Sequence, residues 1–195
     1  MLGPDEAPES VREELLMDSG LYEKVISDEV CWEGTIFSTH LLEVELPDGS
    51  RGSREIVRHH GGAGVVAVRD GKICLVKQWR VVLGGVTLEI PAGKLDEGES
   101  AEKCAARELL EETGLVASSL APLSSVFGSC GFTDVTTRVF YAEGLEQGSS
   151  DPDDGEFVNV CWLPVEDVVQ AILCGAIRDG KTVSGVLAAR TRGLL

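Results

Sequence analysis

The chain has 195 residues and a mass of 20.8 kDa, which suits one domain of ordinary size with a short appended segment. Hydrophobic residues at 43% and charged residues at 26% exclude wholesale disorder, and no apolar run reaches the ~18–20 residues that span a bilayer. With 33 acidic against 17 basic residues the net charge is −16, which repels polyanions and excludes a nucleic-acid groove.

Residues 1–33 hold ten acids against Arg12 and Lys24, half of the net charge. Met1-Leu2-Gly3-Pro4-Asp5-Glu6 lacks the basic and apolar regions of a signal peptide, so a cytoplasmic protein is expected. The six cysteines are never closer than 13 residues, which leaves no CxxC pair, and several sit in apolar stretches such as Ile73-Cys74-Leu75-Val76. Buried free thiols in a reducing compartment are expected. His40, His59 and His60 make no metal-ligand spacing, and His59-His60 reads as the edge of a turn.

In chain order, Val11, Leu15 and Leu16 among acids predict a short amphipathic helix within an acidic segment, residues 1–34. Strands are predicted near 35–46, 53–59, 63–69 and 72–79, with hairpin turns at Asp48-Gly49 and Asp70-Gly71. Val86-Thr87-Leu88-Glu89-Ile90 is a further short strand, ended by Pro91. Ser100 then caps a helix through Thr113 that Gly114 stops. Strands follow near 122–128, 136–143 and 156–162, and Gln147 to Gly155 has the composition of a linker. Pro164 fits the first position of a helix running to Cys174, and a last helix covers about 181–191. This order predicts a mixed sheet flanked by helices over residues 35–195.

The helix after Ser100 carries the chemistry. Glu108, Glu111 and Glu112 fall within an arc of about 100° on one face. Glu111 and Glu112 also stand in the last turn, where the helix dipole disfavours negative charge by ~0.3–1 kcal/mol each. A structural surface helix would carry Lys or Arg there. A hard divalent cation, Mg²⁺ or Mn²⁺, would remove the conflict, and a solvated acidic helix is the competing reading. Arg107 is placed to hold one of the carboxylates by a charge-assisted bond, and Gly93 and Gly98 let the preceding loop turn tightly.

The order Gly93, five residues, Glu99, seven residues, Arg107-Glu108-Leu109, one residue, Glu111-Glu112, one residue, Gly114-Leu115 resembles the Nudix box at every defining position. At average residue usage the pattern arises by chance less than about once in a million such chains. Leu88-Glu89-Ile90-Pro91-Ala92-Gly93-Lys94-Leu95, Lys77-Gln78-Trp79-Arg80 and Gly175-Ala176-Ile177-Arg178-Asp179-Gly180-Lys181-Thr182 resemble the ADP-ribose pyrophosphatase branch, so the similarity runs over about residues 53–190.

The resemblance implies an α/β/α sandwich with a mixed sheet, extended at the N-terminus by antiparallel strands. It also implies metal-dependent hydrolysis of ADP-ribose or a related ADP-sugar to AMP and a sugar phosphate. Glu108 and Glu112 would ligate the metal with the Ala92 carbonyl, and Glu111 would act close by. Glu89 would line the metal site, Arg80 would contact the diphosphate or the terminal ribose, and Arg54 would help to bind the nucleotide. The general base would come from Asp151-Pro152-Asp153-Asp154-Gly155-Glu156, with Glu156 and Asp154 ahead of Asp153, and Glu111 as the alternative. A homodimer with residues 35–60 at its interface is implied as well.

Two departures bear on the substrate. Cys130 stands where the branch has proline, and Val135 where it has glutamate. They leave the metal helix intact and widen the substrate to another nucleotide sugar, such as GDP-mannose. A nucleotide-sensing domain without catalysis is the reading from a different class, and the complete set of Glu108, Glu111 and Glu112 argues against it.

Overall fold

A computed structural model describes residues 7–16, 18–148 and 157–195. By contacts the chain divides into two compact units, one of residues up to His60 with Phe127–Val135, the other of Gly61–Val126 and Thr136–Leu195.

The N-terminal unit starts with a short helix, α1 (Glu9–Glu14), followed by β1 (Lys24–Glu33), β2 (Phe37–Glu45) and β3 (Arg51–His59). The three strands form an antiparallel sheet in that order, with the turn at Asp48-Gly49 joining β2 to β3. Strand β1 differs from the expectation of helix and acidic segment before residue 35. Register shifts between Val25 and Ser27 and between Val30 and Trp32 break its alternation, so the period-two signal is lost from the sequence. The Val57 amide ties residues 127–135 into the unit, donating to the Phe132 carbonyl at 2.7 Å, and Val57 bridges in parallel to Thr133.

The larger unit holds β4 (Gly62–Val66), β5 (Val68–Arg69), β6 (Lys72–Arg80), β7 (Gly85–Glu89) and β8 (Ala92–Lys94), then α2 (Ala101–Thr113), β9 (Leu115–Phe127), β10 (Thr136–Gln147), β11 (Val158–Pro164), α3 (Val165–Leu173) and α4 (Gly180–Thr191). One sheet has the order β8-β4-β10-β9, with β10 parallel to β4 and β8 antiparallel to it. The other has the order β11-β6-β5, with β7 also paired to β6. The first sheet is therefore mixed, as the order of elements predicts, whereas β6 pairs antiparallel with β11, β5 and β7 in the second.

Alternation along the strands builds two cores. Ala63 and Val65 of β4, Cys74 of β6 and Phe140 of β10 pack with Cys104, Ala105 and Leu109 of α2. Their neighbours Val66, Ile73, Leu75 and Val139 pack instead with Val168 and Ile172 of α3 and Val186 and Ala189 of α4. Helices thus cover both faces, and each fully buried Leu, Ile or Val contributes ~1.5–3 kcal/mol of transfer free energy. Only Cys74 and Cys104 of the six cysteines are buried, and burial pushes both thiols up to about 12. Cys31, Cys130 and Cys174 are exposed, which corrects the expectation of buried thiols for those three. Among the described residues no helix is long and apolar enough to cross a membrane.

Candidate active site

Local sequence sets the helix that carries the glutamates. The Ser100 hydroxyl accepts from the Lys103 amide at 3.3 Å, and Gly114 ends α2 in the left-handed region with φ 70°. The apolar stripe of α2 buries Cys104, Ala105 and Leu109, which turns Glu108 and Glu112 towards β8. Their residues are only 8% and 6% exposed. The Ala92 amide donates to Glu112 Oε2 at 2.9 Å, joining the last turn of α2 to the strand expected to supply a backbone ligand.

Gly93 lies directly under Glu108. A Cβ at this position would stand 1.8 Å from Glu108 Oε1, so the absence of a side chain is what makes room for the carboxylate. Arg107 does more than the sequence suggests. Its Nη1 donates to Glu108 Oε1 at 2.8 Å and to Glu111 Oε2 at 2.9 Å, while Nε and Nη2 take both oxygens of Glu99 at 3.1 and 3.0 Å. Nη2 also reaches the Lys94 carbonyl at 3.0 Å, fastening the loop to the helix. One guanidinium thus holds three carboxylates in place of the one expected.

Among the described residues no three carboxylate, imidazole or thiol side chains meet around one point, because Glu108 and Glu111 lean onto Arg107 and Glu112 onto the Ala92 amide. The donor set nevertheless fits a hard cation. Glu108, Glu111 and Glu112 offer only oxygen, Ala92 adjoins Glu112, and three carboxylates against one guanidinium leave the cluster net negative.

Arg80 at the end of β6 forks onto Glu89 of β7, with Nε to Oε1 and Nη2 to Oε2 both at 2.7 Å. The Thr87 hydroxyl donates to Oε1 at 2.6 Å, and the Lys181 ammonium to Oε2. Both oxygens of Glu89 are therefore engaged by cations and a hydroxyl. Burial alone would raise this carboxyl, but Arg80, Lys181 and Thr87 outweigh it and hold it at about 2. Arg54, on β3 of the N-terminal unit, forks onto Glu23. Asp153, Asp154 and Glu156, the expected bases, lie outside the described residues.

The Arg107 bonds likewise hold Glu99 at about 2, against the opposing effect of burial, where an ordinary glutamate has 4.5. For Glu89 and Glu99 the folded value lies below the unfolded one. Their stabilisation is complete above about pH 4.5 and is lost as the pH falls towards 2. Thermal melts across that window are expected to show a falling midpoint, with a shallower slope in Arg107→Met, where Glu99 has no guanidinium; parallel slopes would contradict the assignment to Arg107.

Lys181, Asp179 and Thr182 received no role from the sequence beyond their place in a resembling segment. The available signal was Asp179 as a capping residue two and three positions ahead of Lys181 and Thr182, and the structure shows that cap, with Asp179 accepting from the Thr182 amide at 3.0 Å.

Comparison with known proteins bears on the whole arrangement. A family model described as NUDIX domain matches residues 58–184. The chain is 40% identical over 169 residues to an ADP-ribose pyrophosphatase of Bacillus subtilis, covering 85% of this chain and 91% of that protein. It is 37% identical over 169 residues to an ADP-ribose pyrophosphatase of Mycobacterium tuberculosis, covering 85% and 82%. A solved structure described as an ADP compounds hydrolase superposes with a TM-score of 0.78 at 20% identity, over 89% of this chain and 97% of that one, which shows the shared fold.

Proposed function

This chain belongs to the Nudix family, a family of divalent-metal-dependent hydrolases, and from that premise we propose that it cleaves the diphosphate of ADP-ribose or a related ADP-sugar to AMP and a sugar phosphate. The observation that carries the reading is the α2 carboxylate cluster set against Ala92 and Gly93 by Arg107. Two relatives that each match 85% of its length and are named as ADP-ribose pyrophosphatases support the substrate class.

In this proposal Glu108, Glu112 and the Ala92 carbonyl hold Mg²⁺, with Mn²⁺ able to replace it, and Glu111 stands beside them. A divalent cation there makes a bound water easier to deprotonate and offsets charge on the diphosphate oxygens. Arg107 fixes the directions of Glu108 and Glu111. Arg80 meets the diphosphate or terminal ribose, Arg54 the nucleotide, and Glu89 orients Arg80. Glu156 or Asp154 accepts the proton of the attacking water, with Glu111 as the alternative base.

We also propose a homodimer joined through the N-terminal sheet. All ten positions of β1 are exposed, including Val25, Ile26, Val30 and Trp32, and Leu41 of β2 is exposed beside them. Exposed apolar side chains gathered on one three-stranded sheet support an interaction surface there. Light scattering is expected to give twice 20.8 kDa, and a monomer mass at micromolar concentration would refute the dimer. The six cysteines, all free, support the cytoplasm as the compartment.

The deciding experiment is incubation with ADP-ribose and Mg²⁺, with products separated by chromatography. AMP and ribose 5-phosphate are expected. Intact ADP-ribose alongside cleaved GDP-mannose would move the substrate and keep the reaction, whereas nucleotide binding without any cleavage would replace the enzyme by a sensor.

A further inference from the structure

The first turn of α4 reaches back to the end of β7, across 92 residues of sequence. Lys181 stands between two carboxylates there, donating to Glu89 Oε2 and to Asp179 Oδ1, the latter at 3.0 Å. Its side chain is 15% exposed and that of Glu89 is 4%, whereas the Arg80 side chain on the other side of Glu89 is 42% exposed. Arg80, Glu89, Asp179 and Lys181 line a cavity of about 1060 Å³ that Lys77 and Arg178 also line. Four cations thus face two carboxylates within a chain of net charge −16, and an anionic ligand is what such a wall attracts.

We propose that Lys181 is a positioning residue for the diphosphate: by pinning Glu89 it holds the Arg80 guanidinium ready before substrate arrives. The inference rests on the reading of function given above. A long, half-exposed arginine loses rotamer freedom when it is fixed, and a site that has already fixed it binds more tightly. Glu89 can fix it only with both oxygens aimed at the Arg80 fork. Lys181 and Thr87 supply the remaining bonds that keep them so.

Fastening of α4 itself does not depend on Lys181. The Thr182 hydroxyl donates to Asp179 Oδ2 at 2.6 Å and accepts from the Ile90 amide at 2.9 Å, and Val186 and Ala189 are fully buried below it. Loss of the ammonium therefore leaves the helix docked and frees Glu89 to turn away from Arg80.

The test compares Lys181→Met and Lys181→Arg in steady-state hydrolysis of ADP-ribose and in the ¹⁵N–¹H spectrum of arginine Nε–H groups without substrate. The Arg80 signal is identified by its absence in Arg80→Ala. Lys181→Met is expected to raise KM about tenfold, leave kcat within about threefold, and shift or broaden the Arg80 signal. Lys181→Arg restores both. In an Arg80→Ala background, Lys181→Met adds nothing to KM, because the lysine acts through that arginine.

An unmoved Arg80 signal in Lys181→Met overturns the proposal, as does a KM rise that persists in the Arg80→Ala background. Should Lys181→Met not fold, Lys181→Gln carries the same comparison. Wild-type protein that leaves ADP-ribose intact refutes the substrate reading alone, and the spectra still decide the role of Lys181.

Discussion

Glu112→Gln is expected to slow hydrolysis of ADP-ribose at least about a hundredfold, equivalent to ~2.7 kcal/mol of transition-state stabilisation, while the protein stays folded. Glu112 is 6% exposed and accepts the Ala92 amide at 2.9 Å. A glutamine can keep that bond with its carbonyl oxygen, so shape and packing survive and the lost quantity is one negative charge. A structural role for Glu112 would spare kcat, and a metal-binding role would not. Chromatographic rates and a thermal melt on the same sample separate the two. A folded variant within tenfold of wild type would remove Glu112 from the metal set. The same assay on Glu156→Gln, Asp154→Asn and Glu111→Gln assigns the base, since the variant lacking it loses kcat together with the acidic limb of the pH profile.

Gly93→Ala is expected to lose ten- to a hundredfold in kcat through a single methyl group, and to cost about 1–3 kcal/mol of stability. The new Cβ would stand 1.8 Å from Glu108 Oε1 and 2.1 Å from its Cδ, so the carboxylate must swing away. Its bond to Arg107 at 2.8 Å breaks with that movement, and the guanidinium is left with Glu99 and Glu111. Gly180→Ala is the control, because a Cβ there meets nothing within 4 Å. Rates and melting temperatures of the two variants check the argument. Equal activity in both would show that Glu108 can serve from a displaced position.

Both predictions depend on how α2 meets the loop before it, and that junction was only half visible in the sequence. The glycine, the arginine and the three glutamates stand out by spacing. That Arg107 binds three carboxylates, and that Gly93 is needed for contact with Glu108 in particular, follows only once β8 lies against α2. Strand β8 is three residues long and too short for any periodic signal. Strand β9 runs over Leu115–Phe127 where 122–128 was expected. Its first half carries Ser118, Ser119 and alanines that read as loop, and its place in the sheet beside β10 is what makes it a strand.

By itself the sequence determined the helix of the candidate site and the family of the chain. The Ser100 cap, the Gly114 stop and the shared face of Glu108, Glu111 and Glu112 are set by neighbours three and four residues apart, and such local relations are written directly into residue order. Tertiary structure alone decided that Lys24–Glu33 is a strand, since its register shifts hide the alternation and β2 supplies its hydrogen bonds. It alone joined Lys181 to Glu89 and Glu89 to Arg80. No periodicity encodes an ion pair across 92 residues; only the packing of α4 onto the end of β7 brings those charges within reach, and burial then makes their pairing obligatory.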